Sequence, residues 1–223
     1  MTNNFSRDLN AEHELGSYLD QYYYPRFNRL NNVHRVVEKR FQFEGVDVEA
    51  DLDGEHILID EKGYLTSSEP RNTFAFELSY INPIGKRQQG WLYDDHKYTT
   101  YYLLCWNKRD EDIGIGEVKS NDFHYVLAML VSRRKFLEYL KIKYGITAIT
   151  AQEKVTDILQ GNSVGRLDRL SDTSNSRYHY SNLLPEQPIN IVMEKAELLA
   201  SGAVDSYFLV KRRELKFLDK TQK

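Results

Sequence analysis

Hydrophobic and polar positions along this chain switch between a helical and a strand period. Leu9, Glu12, Leu15, Gly16, Leu19 and Tyr23 recur at helical spacing, which predicts a helix from about Asn10 to Tyr24. Asn10 suits its N-cap and Pro25 its stop. One member of that stripe is an acid, Glu12. Residues 34–80 read as strands. HRVVEKRFQFE is rich in strand formers, Val46 to Leu52 alternates, and Glu55 to Lys62 alternates after an Asp53-Gly54 pair. Asp-Gly between alternating runs predicts a hairpin, because a type I′ turn needs positive φ at both central residues. TSSEPRN is a loop. TFAFELS is a further strand with Phe74, Phe76 and Leu78 on one face, so Glu77 faces away from them. KYTTYYLLCW reads as a buried strand, followed by IGIGEVK as another. Asn121 to Tyr144 is predicted as the longest helix, with Gly145 at C′. Residues 152–160 form a shorter helix, 161–182 a long polar loop, and INIVM, MEKAELLAS and SYFLVK a closing strand, helix and strand. The pattern is that of an α/β protein: a mixed central sheet flanked by helices on both sides, with a C-terminal α+β elaboration.

Composition narrows the class. A chain of 223 residues suits one large domain, read here as a core over 1–120 and a long helix with C-terminal elaboration over 121–223, on the same domain. Its 41 % apolar and 28 % charged residues are those of a folded, soluble chain. The single cysteine, Cys105, excludes an internal disulfide framework and a multi-cysteine zinc site; inside YYLLCW it reads as core. No apolar run is long enough to span a bilayer, and the first ten residues lack the apolar core of a signal peptide, which makes the cytoplasm the default location. Thirty basic against 33 acidic residues, net −3, exclude a strongly basic coat for nucleic acid but not a local patch. Of the basic clusters (Lys86-Arg87, Lys108-Arg109, Arg133-Arg134-Lys135 and Lys211-Arg212-Arg213), Arg133, Arg134 and Lys135 are the best candidates for backbone phosphates, with ordinary surface charge as the alternative. No Gly-rich phosphate loop is present.

The hairpin carries the chemistry. With Asp53 and Gly54 as turn residues, Asp47 falls opposite Asp60, and Lys62 shares the face of Asp60. Val46, Val48, Ala50, Ile57 and Ile59 take the other face and pack. Opposed carboxylates repel at a Cβ separation of roughly 4.5–5.5 Å. A divalent cation removes that repulsion, and hard oxygen ligands suit Mg²⁺, with Mn²⁺ as a substitute. The adjacent ammonium can position water and offset phosphate charge. The plainer reading is a solvated hairpin face.

GVDV at 45–48 followed by IDEK at 59–62 resembles the paired motif of the PD-(D/E)XK, or restriction-endonuclease-like, nucleases. AEHEL at 11–15 is similar to the helix that carries an accessory glutamate in archaeal Holliday-junction resolvases. The likeness spans about residues 9 to 106 and includes the order of helix, strand, hairpin and further strand. It departs from the family where Val46 replaces the proline and Asp60 the commoner glutamate. The resemblance implies a restriction-endonuclease-like mixed sheet and Mg²⁺-dependent cleavage of phosphodiesters, with DNA the favoured partner. It implies catalytic roles for Asp47, Asp60, Lys62 and Glu12, and metal ligation by Asp47, Asp60, the Glu61 carbonyl and Glu77. It is compatible with a homodimer and with no membrane partner. The alternative is a nuclease-fold module that binds nucleic acid or protein without cutting.

Two rival groupings are weaker. Glu117 and Lys119 repeat an E-x-K, but the preceding acids Asp110 and Asp112 lie in a turn and cannot oppose them. Asp94-Asp95-His96 lacks a fixed fourth ligand, His124 and His179 being distant in sequence.

Overall fold

The computed structural model describes residues 4–38, 44–161 and 163–218, with the side chains of 4–8 omitted. Contacts divide the chain into two compact units that interleave along the sequence: Met1–Arg71, Tyr98–Arg133 and Val204–Lys223 form the first, Asn72–Lys97 and Arg134–Ala203 the second. Both are α/β or largely β, and no described helix is long and apolar enough to cross a membrane.

The first unit opens with helix α1 (Asn4–Tyr22), followed by a 3-10 turn at Tyr24–Arg26. The helix begins well before Asn10, whose side-chain amide donates instead to the Val118 carbonyl. Its sheet contains β1 (Leu30–Arg35), β2 (Val48–Leu52), β3 (Glu55–Tyr64), β6 (Tyr101–Lys108), β7 (Tyr125–Ser132), β11 (Val204–Lys211) and β12 (Glu214–Phe217), side by side in that order. β3 and β6 pair in parallel and the other neighbours antiparallel, so the sheet is mixed. Among the described residues, the unit's own helical segments are α1 and two single turns. Part of the predicted strand 34–44 lies outside the described residues.

Alternation decides what each face does. Ala11, Leu15, Tyr18 and Leu19 of α1 close onto Val48, Ala50, Ile57, Ile59, Leu103, Cys105, Ala128 and Leu130. Burying each such aliphatic side chain contributes roughly 1.5–3 kcal/mol. Cys105 is thus core, and burial pushes its thiol pKa well up. Tyr102, Leu104, Trp106, Met129 and Val131 on the alternate positions are also fully buried. That two-sided burial explains why Tyr125–Ser132 is a strand and not the first half of a long helix. A central strand needs no polar face, so VLAMLV shows no alternation to give it away. IGIGEVK forms turns instead of a strand, with the Val118 amide donating to the Gly114 carbonyl.

The second unit holds an antiparallel sheet in the order β5 (Arg87–Gln89), β4 (Thr73–Ile81), β10 (Ile189–Glu194), β9 (Arg177–Tyr180), β8 (Gly165–Arg169). Helices α2 (Arg133–Tyr144, its first residue in the other unit), α3 (Ala148–Gln160) and α4 (Lys195–Ala200) accompany it. Gly145 ends α2 with φ +66°, the left-handed cap that glycine adopts freely. The polar stretch 161–182 is not a loop throughout: it contains β8, most of whose residues are exposed, and the four-residue β9, in which Tyr178 is buried.

Candidate functional site

The turn fixes everything that follows. Asp53 and Gly54 both have positive φ, +52° and +90°, as a two-residue hairpin turn requires. The register is the one the turn dictates: Val48 opposite Ile59, Ala50 opposite Ile57, Leu52 opposite Glu55. Regular pairing stops at Val48, one residue after Asp47. There the Asp47 amide donates to the Ile59 carbonyl (2.9 Å) and its carbonyl accepts from the Val36 amide. Its side chain continues the ladder in place of backbone: Asp47 Oδ2 accepts from the Glu61 amide at 2.8 Å.

Asp60 is 3 % exposed, and its Oδ1 lies 2.7 Å from Lys62 Nζ. The Asp60 carboxylate is close enough for its charge to act on Asp47. Burial first, and then the Asp60 charge, push the Asp47 pKa up from 3.8 to about 6, against the pull of Lys62 and the Glu61 amide. Burial works against the Lys62 ammonium, yet Asp60 and Asp47 outweigh it and hold its pKa above the usual lysine range. The smallest contribution to that rise comes from Glu12, exposed on α1. Four of the residues chosen from sequence, Asp47, Asp60, Lys62 and Glu12, are therefore electrostatically coupled in one unit.

Glu61 points the other way. Its carboxylate is 8 % exposed and accepts from Tyr24 (2.6 Å) and from both terminal nitrogens of Arg35 (3.0 and 2.9 Å). Burial raises its pKa, opposed by Arg35. Arg35 is itself held by Asp20 and by the Gly16 carbonyl. Only the backbone of Glu61 is available on the Asp60 side, its amide already holding Asp47. Glu77 belongs to the second unit, on β4 opposite Asn190. Of the basic triplet, Arg133 closes the first unit while Arg134 and Lys135 open the second and are exposed.

Sequence reasoning missed Tyr102. It is the register partner of Asp60 across the parallel β3–β6 pair, and its hydroxyl accepts from Arg133 Nε at 3.0 Å. The charges of Arg133, Asp60 and Lys62 all act on this phenol, whose pKa burial raises to about 12. Parallel pairing across an intervening segment leaves no local trace, so no signal in the sequence marked Tyr102.

Of the rival groupings, the structure brings together Asp94, Asp95 and His96. Asp94, Asp95 and His96 have ligand atoms within 4.8 Å of one another, but Asp95 and His96 are exposed and adjacent in sequence. His124 pairs with Asp110 and His179 with Ser181. Glu117 and Lys119 are exposed in the turns before β7.

What fold and site define together is a mixed α/β protein with a coupled pair of aspartates and a lysine on one face of its larger sheet. Comparison with models of known families, with curated proteins and with solved structures finds no match for the chain.

Proposed function

We propose that the chain is a metal-dependent nuclease, hydrolysing phosphodiester bonds with DNA as the favoured substrate, on a restriction-endonuclease-like core. The observation that carries this reading is the Asp47–Asp60 pair with Lys62 on Asp60. A fold gains nothing by opposing two buried carboxyls, and burial first, then the Asp60 charge, raise the Asp47 pKa. The donor set fits a hard divalent ion: two neighbouring acidic side chains, with the Glu61 carbonyl a further oxygen in the same stretch. Asp47, Asp60 and the Glu61 carbonyl would hold Mg²⁺ or Mn²⁺, which supplies charge neutralisation and a more acidic bound water when present.

The chain's own residues do the rest. The Glu61 amide fixes the Asp47 carboxylate. Asp60 orients the Lys62 ammonium, which offsets charge building on a phosphate oxygen and positions the attacking water. Glu12 adds a further carboxylate whose charge reaches Lys62. The mixed sheet, and the order of helix, strand, hairpin and further strand, agree with what the sequence resemblance implies.

The test is incubation of pure protein with supercoiled plasmid, with Mg²⁺, with Mn²⁺ and with chelator. Cleavage is expected only with metal, and Asp60→Ala or Lys62→Ala should lower it by about a thousandfold, within the range a positioned catalytic group contributes. Metal-independent cleavage, or full activity in folded Asp60→Ala, would refute the assignment. Metal-dependent binding without cleavage would favour a non-cutting module on the same site.

A further inference from the structure

Tyr102 and Arg133 lie beside the carboxylate pair without belonging to the motif that identified it. Three observations join them to it. Tyr102 pairs with Asp60 across β3 and β6, so side-chain alternation puts both on the same face of the sheet. Arg133 is fixed at both ends, its amide on the Thr100 carbonyl (2.9 Å) and its Nε on the Tyr102 hydroxyl (3.0 Å). Tyr102 and Asp60 are 0 % and 3 % exposed, so they are buried side by side on that face.

We infer that Arg133, oriented by Tyr102, is the phosphate anchor of this site and that Tyr102 is its positioning residue. The inference rests on the nuclease reading for its substrate, a phosphodiester, but the anchor itself is a property of these two side chains. A guanidinium is a planar fork matched to two phosphate oxygens, whereas Lys62 is a point charge. Binding the phenol through Nε sets the plane of that fork. With the charge of the carboxylate pair neutralised, Lys62 and Arg133 leave the face positive, as an anionic diester requires. Arg134 and Lys135 are exposed neighbours, and they suit weaker, general contacts with a backbone.

The test is inorganic phosphate titration of the full-length protein, with and without Mg²⁺, followed by the Nε–H resonances of ¹⁵N-labelled arginines. The Arg133 signal, assigned by its absence in Arg133→Gln, should shift saturably. Phosphate affinity should fall about tenfold in Arg133→Gln and about threefold in Tyr102→Phe, the sizes expected for a charged and a neutral hydrogen bond. Arg166→Gln, on β8, should leave it within about twofold. Where Arg133→Gln does not fold, Arg133→Lys, which keeps the charge and loses the fork, should show a similar loss. An Arg133 signal unmoved by phosphate, or equal weakening by Arg166→Gln, would overturn the inference. Plasmid cleavage separates it from the broader reading: a shifting Arg133 without cleavage supports the anchor and refutes the nuclease, and cleavage with a silent Arg133 does the reverse.

Discussion

Asp47 in the first unit and Glu197 in the second are both partly or largely buried carboxylates, and the protein treats them oppositely. Glu197 is surrounded by donors: Ser174 and Ser176 hydroxyls at 2.6 Å, Tyr139 at 2.8 Å, Lys143 at 2.9 Å, and the Tyr144 hydroxyl. Burial alone would raise its pKa, but those hydrogen bonds bring it down to about 2. Asp47 has one backbone donor and another carboxyl, and its pKa rises to about 6. A carboxylate supplied with donors from its own fold is finished as structure, here tying the α2 helix and the segment before β9 to α4. One placed against a second acid keeps a raised pKa, even with the Lys62 ammonium nearby. Glu61, beside Asp60 on β3, is likewise held by donors of the fold, Arg35 and Tyr24, on the opposite face, although burial still raises its pKa.

The comparison can be broken most severely at Arg35. Arg35→Met leaves the Glu61 carboxylate buried without its cation, and unfolding free energy should drop by about 3–5 kcal/mol, as for other broken buried ion pairs. Chemical denaturation measures it, and a change near zero would mean that Glu61 is not held as described. Next in size, Glu197→Gln and Asp47→Asn should move stability in opposite directions. Glu197→Gln loses charged hydrogen bonds and should destabilise by about 2 kcal/mol. Asp47→Asn keeps an acceptor for the Glu61 amide while removing a like charge, and in metal-free protein at pH 8 it should stabilise by about 1–3 kcal/mol.

The pH dependence gives these signs separately. The Asp47 pKa is raised in the folded state, so the native protein holds its proton while the unfolded chain loses it. Stability from this group therefore falls as pH climbs from about 4 to about 6 and stays lower above. The Asp47→Asn advantage should vanish below pH 4. The Glu197 pKa is lowered, so its contribution is present above about 4.5 and is lost as pH falls towards 2. Equal behaviour of the two variants from pH 3 to 8 would remove the contrast. The smallest effect is at Glu12: exposed and last among the influences on Lys62, its replacement by Gln should change stability by under about 0.5 kcal/mol while lowering cleavage severalfold.

What the sequence revealed about this site follows from how locally each feature is encoded. Asp53-Gly54 sets a turn, the turn sets a register, and the register brings Asp47 and Asp60 together, so that part could be reasoned from fewer than twenty consecutive residues. Glu12 was visible because one acid interrupts an apolar stripe. Tyr24, Arg35 and Tyr102 were invisible because their roles depend on strand neighbours far away in the chain. The same limit explains β7: an apolar run buried on both faces carries no period, and Arg133-Arg134-Lys135 were accordingly read on the middle of a helix that in fact starts at Arg133. Alternation correctly turned Glu77 away from Phe74, Phe76 and Leu78, but not even perfect alternation tells which of two sheets a strand will join.

A crystal soaked with Mn²⁺ and examined by anomalous scattering addresses the account at its centre. One ion bound by Asp47 and Asp60, and lost in Asp47→Asn, is the predicted result. An ion held by Asp94, Asp95 and His96 with nothing between positions 47 and 60 would contradict it.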